Sequence, residues 1–527
     1  MEGDNVDAVL LERFEREIWS KVPHVRARDD NNNNDNNNGN TEIVGATPLV
    51  DITAYIRECM RTVYNIDVGP ELQIMGKMDS ELPTGSIKVR PAVNIIHNAI
   101  LSGKLRTGQT VIEATSGNFG IALGLLARLG INVITLVSRR LQEGVFEELR
   151  NENVHIIDLD MDVCPAPGMQ GNKDEIAARA AAANIRSQLA GVGFATETFD
   201  ASMDRILELL MAQDIIELAK FLSEIYGCFC PAQYENSLNP MMHRTVTAVE
   251  VDRQLQGGVA GANLGDYNVV CAFGTGGTSM GFHEYAHSTY EKSLVHLVFP
   301  PVGQDVAGIR TQATADGLPL YRPDMYAGEH IIDFEKVKPM LRFLVMERGL
   351  DIGESSALAL YAAVKMAVQG TITSKKFVVI IADGITKYKK AMMEDANKGR
   401  IRVSLEDAAA SAAEYDRIVW VHPQYTPREA GIEVIARSLG VDKSRILVQK
   451  ASTVKQLLTT QQVPEEMSRD LKDGKCLMIC MAGNTSFMAT KVLARSGIAA
   501  ESLNGGITGL PEGRMQNPGA LVQVARE

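Results

Sequence analysis

The sequence predicts an α/β fold of parallel sheets with flanking helices, followed by a smaller α/β unit at the C-terminal end. Three observations predict it. From about residue 42 to 395, β-rich runs such as Val133-Ile134-Thr135-Leu136-Val137 and Phe377-Val378-Val379-Ile380-Ile381 alternate with helical periodicity, the pattern of parallel sheets covered on both faces. Twice in that span an apolar strand runs into a loop of small residues and then a helix. After Gly399 the composition changes, and a further strand, loop and helix recur near Cys480.

Residues 1–41 begin with an acidic, amphipathic stretch carrying Val9, Leu10, Leu11, Phe14, Ile18 and Trp19, without the basic-plus-apolar pattern of a secretory signal. Asp29 to Asn40 is almost pure Asn and Asp, which bury no apolar area to offset ordering entropy, so a disordered tether is expected there. Leu82-Pro83-Thr84-Gly85-Ser86-Ile87-Lys88 then reads as a turn presenting a lysine at a helix start. Pro91 suits the first turn of that helix, and Val93, Ile96, Ala99 and Ile100 recur at helical spacing. A lysine amine becomes a nucleophile toward an aldehyde when desolvation or a neighbouring charge lowers its pKa, and a Gly/Ser turn lets such surroundings crowd it.

The strand Val111-Ile112-Glu113-Ala114 leads into Thr115-Ser116-Gly117-Asn118-Phe119-Gly120, whose amides and hydroxyls suit a carboxylate. Between Cys164 and Phe229 an Ala- and Leu-rich insertion (about 165–228) predicts extra helices. Its stripes, Leu207-Leu209-Leu210 and Ile215-Ile216-Leu218, read as core or subunit contact, and Cys164-Pro165-Ala166-Pro167-Gly168 as a linker or a covering loop. Val269-Val270-Cys271-Ala272-Phe273 then leads into Gly274-Thr275-Gly276-Gly277-Thr278-Ser279-Met280-Gly281, a phosphate cradle in which glycines permit close approach and free amides favour a dianion. A dinucleotide fingerprint does not fit, since Ser279 takes its third glycine position, and no Gly-Lys-Ser/Thr ending marks a P-loop.

Composition narrows the function classes. The 527 residues allow several domain-sized units, and 45% hydrophobic content fills substantial cores. A net charge of −12 argues against nucleic acid or an anionic membrane as the main partner. Seven irregularly spaced cysteines form no disulfide framework, and Cys228-x-Cys230 lacks a second pair for zinc, so no metal is expected and a reducing, cytoplasmic compartment is.

Together the three loops resemble the cysteine synthase and tryptophan synthase β family of fold type II pyridoxal-phosphate enzymes over roughly residues 42–398. Val44-Gly45-Ala46-Thr47-Pro48-Leu49-Val50 resembles that family's opening strand motif, and Gln233-Tyr234-Glu235-Asn236 with Asn239-Pro240, His243 and Thr247 its mid-chain signature. The resemblance implies two parallel-sheet subdomains, a homodimer and pyridoxal 5'-phosphate as cofactor. It implies that Lys88 carries the cofactor as a Schiff base, that Asn118 contacts the ring hydroxyl, and that Gly274, Thr275, Gly276, Gly277 and Thr278 bind its phosphate. Thr115, Ser116, Gly117 and Gln233 would bind the substrate carboxylate, while His243 reads as structural. Gly384, in Ala382-Asp383-Gly384-Ile385-Thr386-Lys387-Tyr388, departs from the family, which places a serine there against the pyridine nitrogen. Arg310 stands where phosphoserine-using relatives place a phosphate-binding arginine, and a guanidinium suits a dianion by bidentate pairing.

In residues 399–527, Lys475-Cys476-Leu477-Met478-Ile479 runs into Cys480-Met481-Ala482-Gly483-Asn484-Thr485-Ser486 and a helix, with Ser502-Leu503-Asn504-Gly505-Gly506-Ile507 after it. This resembles a rhodanese domain, and Cys480 falls on its persulfide-carrying position, where loop amides would favour a thiolate. Thr485 replaces the usual arginine, and no Asp-x-Arg is evident around Val419-Trp420-Val421-His422, so a degenerate unit used for packing or regulation is an equal reading.

The expected function is β-replacement on O-phosphoserine or O-acetylserine through an aminoacrylate, with Lys88 taking the α-proton and a sulfur or amine nucleophile adding to give cysteine or another β-substituted alanine. A β-eliminating lyase, of the cysteine desulfhydrase or serine dehydratase type, and a non-catalytic sulfur-relay scaffold are the alternatives.

Overall fold

A computed structural model describes residues 6–27, 41–115, 117–137, 142–159, 175–258, 262–370, 372–397, 402–422, 428–471, 474–480, 483–507 and 510. The Asn-rich stretch, Ser116 and the Cys164–Gly168 loop lie outside these.

The central sheet has six strands, in the spatial order Gly328–Ile331, Val295–Phe299, Asn268–Ala272, Lys376–Ile381, Gln73–Met78 and Leu49–Asp51. Every pairing is parallel except the last. Val295–Phe299 is buried throughout, and Lys376–Ile381 at all but its first residue. Their nearly continuous apolar runs, interrupted by the buried His296, reflect cover by helices on both faces. The opening motif Val44–Val50 is not one strand. Thr41–Val44 pairs antiparallel with His24–Ala27, the chain turns at Gly45 (φ +76°), and Leu49–Asp51 joins the central sheet.

A second, three-stranded parallel sheet comprises Thr110–Ala114, Asn132–Val137 and His155–Asp158. The main chain at Phe229 extends it, accepting from Ile112 N at 3.0 Å and donating to Thr110 O at 2.9 Å. The insertion forms helices Glu175–Gly191, Thr196–Ala201, Met203–Ala212 and Ile215–Ile225. Leu207, Leu209, Leu210 and Leu218 are buried against Ile112, Ile134 and Ile157, so these leucines build the core of the second subdomain.

The amphipathic N-terminal stretch is helix Ala8–Glu17. Leu10, Phe14 and Ile18 are buried in the same core as Ile96 and Ile100, and Trp19 stacks on His97 at 4.3 Å.

The C-terminal unit is a five-stranded, wholly parallel sheet ordered Arg402–Val403, Ala500–Leu503, Cys476–Ile479, Arg417–His422 and Ile446–Lys450. Apolar cores cover both of its faces. Gly431 lets a helix approach Trp420, since a Cβ there would lie 2.1 Å from the indole ring. The buried Arg402 ties this unit to the first: it donates to the carbonyl of Gly303 and lies 3.9 Å over the ring of Phe487. Among the described residues no helix is long and apolar enough to cross a membrane.

Candidate active site

Lys88 sits immediately before helix Val89–Leu101, where Val93, Ile96, Ala99 and Ile100 are buried as their spacing predicts. The preceding turn is tight, with Thr84 at φ +70° and Gly85 at φ +64°. It is tied to the end of a central strand, because Ser86 bridges Asp383 and Ile87 N donates to Ala382 O at 2.7 Å. Burial pushes the Lys88 ammonium down to about 8, with the Arg310 charge reinforcing the shift and Asp383 opposing it.

The glycine loop reaches the same place from another strand. Asn268–Ala272 delivers Gly274, and a Cβ built there would lie 3.8 Å from Lys88 Nζ and 2.7 Å from Gly308 O. Helix Gly277–Tyr290 follows, entered through Gly276 at φ +90°. Its first-turn amides have no carbonyl within the helix to bond, the arrangement that receives an anion. Asn239 backs the loop, donating to Thr275 Oγ1 at 3.1 Å and to Gln233 O at 2.8 Å. Thr278 Oγ1 lies 3.4 Å from His243 Nε2, and His243 Nδ1 lies 3.0 Å from Thr247 Oγ1. Burial first, then the Arg90 charge, drives His243 down to about 3, so it stays neutral.

Asn118 opens helix Asn118–Gly124 behind Gly117, whose φ of +124° suits glycine. Its amide donates to Asp383 Oδ2 at 2.7 Å and reaches Tyr388 Oη at 3.3 Å, while Tyr388 donates to the same Asp383 oxygen at 2.6 Å. Thr115 Oγ1 accepts from Gly117 N at 3.2 Å, and Gln233 Nε2 donates to Ala114 O at 3.4 Å. Arg310 is anchored by its own amide on Phe273 O at 2.8 Å, and its guanidinium covers the Tyr234 ring at 4.9 Å. Lys88, Gly274, Arg310, Asn118 and the Asp383 turn thus converge, and Thr115 and Gln233 line the adjoining strand end.

Several contributors were not read from sequence. Asp383 and Tyr388 form the carboxylate–phenol pair beneath Asn118; burial raises the Asp383 carboxyl, against Lys387 and its hydrogen bonds. Glu113 accepts from Gln233 N at 3.3 Å and from Ala114 N at 3.0 Å, and burial pushes its carboxyl up to about 8. An acidic residue inside an apolar strand was the available signal for Glu113. Nothing local marks the others.

Cys480 lies apart, at the carboxyl end of Cys476–Ile479 in the C-terminal sheet. Its buried Sγ accepts from Gly483 N at 3.2 Å and from Ser486 N and Oγ, each at 3.3 Å.

The main site fits a group that combines an aldehyde, a ring with polar substituents and a phosphate. A desolvated amine faces the head of a glycine loop, and Asn118 Oδ1 and Asp383 Oδ1 are buried polar atoms without a protein partner. The family profile and the sequence relatives agree. The profile of the family described as "Pyridoxal-phosphate dependent enzyme" matches residues 41–384. The chain is 26% identical over 335 residues to a probable cysteine synthase of Bacillus subtilis, covering 62% of this chain and 88% of that protein. It is 25% identical over 359 residues to an O-acetylserine dependent cystathionine beta-synthase of the same organism, covering 66% and 94%. Among solved structures, an O-ureido-L-serine synthase superposes with a TM-score of 0.49 at 20% identity, covering 67% of this chain and 94% of that one.

Proposed function

The chain belongs to the pyridoxal-phosphate dependent enzyme family, and from that premise we propose that it catalyses β-replacement on an O-activated L-serine, O-phosphoserine or O-acetylserine, with a sulfur or amine nucleophile. The observation that carries this reading is the Lys88 amine, held near pKa 8 against the head of the Gly274 loop. The cofactor supplies an aldehyde for that amine and an electron sink for a substrate carbanion. Lys88 would hold the cofactor and would take the substrate's α-proton; a base poised near neutral pH suits both tasks. Gly274, Thr275, Gly276, Gly277 and Thr278 would hold the phosphate, and Asn118, oriented by Asp383 and Tyr388, would meet the ring hydroxyl. Thr115, Ser116, Gly117 and Gln233 receive the substrate carboxylate. Arg310, whose charge acts on Lys88 and whose guanidinium lies over the Tyr234 ring, would pair with a phosphate leaving group and so favour O-phosphoserine. The functional assembly is a homodimer, on the family resemblance alone, and the compartment cytoplasmic, on the absence of a disulfide framework in the cysteine spacing.

Residues 399–527 act as a rhodanese-like unit in which Cys480 carries sulfur, a reading supported by the three hydrogen bonds its sulfur accepts at the mouth of a parallel sheet. Replacing Cys480 with Ser abolishes persulfide labelling and lowers turnover with a sulfur donor, leaving cofactor content intact. Unchanged turnover with every donor refutes sulfur carriage.

The primary test is the visible absorbance of purified protein and of Lys88→Ala, before and after O-phosphoserine, O-acetylserine or cysteine, with product analysis. A cofactor band that shifts with one serine ester, and an amino-acid product that requires added nucleophile, are expected. Pyruvate from cysteine alone identifies the lyase instead, and a colourless protein that cannot be reconstituted leaves the scaffold.

A further inference from the structure

Gly384 stands where the family resemblance puts a serine against the pyridine nitrogen, yet the space beside it is filled. A Cβ built on Gly384 would lie 2.3 Å from Oδ2, 2.5 Å from Oδ1 and 2.6 Å from Cγ of Asp351. Asp351 is on the linker between helices Phe334–Met346 and Glu354–Gln369. The linker is fixed there: Ile352 is fully buried, Gly353 N donates to Asp383 O at 2.8 Å, and Ile385 N donates to Asp351 Oδ1 at 2.8 Å. The packing is reciprocal, since a Cβ on Gly353 would lie 2.0 Å from Asp383 Oδ1. Each glycine admits the aspartate of the facing segment. Asp383 serves Asn118 and Tyr388 through Oδ2, and its unpartnered Oδ1 is buried on the Gly353 side, whereas Asp351 is exposed and its carboxylate fills the space beside Gly384 that the serine side chain would take.

We infer that Asp351 replaces the missing serine as the partner of the cofactor's pyridine nitrogen. This rests on the cofactor reading above and adds a chemical consequence to it. A serine hydroxyl can donate to an unprotonated ring nitrogen, but an ionised carboxylate only accepts, so the nitrogen opposite Asp351 must carry a proton. A protonated ring withdraws electrons more strongly, and a nearby carboxylate favours that charged form. The chain therefore holds a pyridinium where a serine would hold a neutral pyridine.

The test is reconstitution of the full chain with pyridoxal phosphate labelled with ¹⁵N in the ring, read by NMR together with cofactor affinity from fluorescence. Wild type is expected to give the signal of a protonated ring nitrogen. Asp351→Asn keeps the shape but removes the charge: the signal moves to the unprotonated range, and affinity falls roughly ten- to hundredfold, the loss of one charge-assisted hydrogen bond. The double variant Asp351→Ala, Gly384→Ser gains a hydroxyl in the vacated space and is expected to bind the cofactor with an unprotonated nitrogen. An unprotonated signal in wild type, or a protonated one retained in Asp351→Asn, overturns the inference while leaving the β-replacement reading standing. Wild type that binds no cofactor overturns both.

Discussion

Arg90, two residues beyond Lys88, is fully buried with Asp79, Glu250 and Lys77 in a cluster of two cations and two carboxylates. Its guanidinium donates to Asp79 at 2.8 and 2.9 Å, to Glu250 at 2.6 Å and to Thr47 Oγ1 at 3.2 Å. Arg90→Met removes one positive charge and leaves Lys77, 3.4 Å from Glu250, as the sole cation facing two carboxylates. Breaking a buried pair from one side costs about 3–5 kcal/mol, because the stranded charge has lost its water and its partner. With a urea slope of about 3 kcal/mol/M, the unfolding midpoint falls by roughly 1–1.7 M. Burial alone would raise the Asp79 carboxyl, but the Arg90 charge and hydrogen bonds hold it below its ordinary value. The stability Asp79 contributes is therefore present above its unfolded pKa and lost as pH falls through the lower folded one. Without Arg90 burial dominates, Asp79 takes up a proton more readily, and the defect of the variant shrinks as pH is lowered. Adding Asp79→Asn to Arg90→Met restores charge balance and recovers part of the loss, which a double-mutant cycle of urea midpoints measures. A loss under about 1 kcal/mol, set against that 3–5 kcal/mol, or no recovery in the double variant, refutes the reasoning.

Further outcomes follow from individual groups. Because Lys88 must lose a proton to attack an aldehyde, the rate of cofactor uptake by apoprotein, followed by absorbance, should rise with pH and level off above about 8. Glu113, raised from 4.5 to about 8 by burial, binds a proton more tightly in the folded state. Wild-type stability should therefore decline as pH climbs across that window, by up to roughly 1.4 kcal/mol per unit, and Glu113→Gln should flatten the slope in denaturant titrations. Gly277→Ala would set a Cβ 2.0 Å from Asn239 Oδ1, disturbing the residue that joins Thr275 to Gln233. It should cost about 1–3 kcal/mol of stability and weaken affinity for free phosphate in calorimetry, whereas wild-type affinity in this variant would remove the loop from phosphate binding.

What could be read along the chain was whatever neighbouring residues decide among themselves. Periodicity marked the helix after Lys88, since Val93, Ile96, Ala99 and Ile100 fall on one face whatever that face packs against. Glycines marked the two loops, because positive φ at Gly117 and Gly276 is a local steric requirement. The leucines of the insertion were legible as buried but not as the core of the second sheet, and the Val44–Val50 strand motif did not reveal that its two ends join different sheets across the turn at Gly45. Gly384 was legible as a missing serine. Its replacement was not, for Asp351 belongs to another segment and is brought there by packing of the linker. Asn118 and Asp383 meet across 265 residues, and Arg90 and Glu250 across 160. The α/β class, a lysine at a helix start and a glycine-rich loop were legible along the chain, because short-range sterics and patterning produce them. Only the tertiary structure decided which carboxylates surround them, because a charge acts through space on whatever the fold sets within a few ångströms of it.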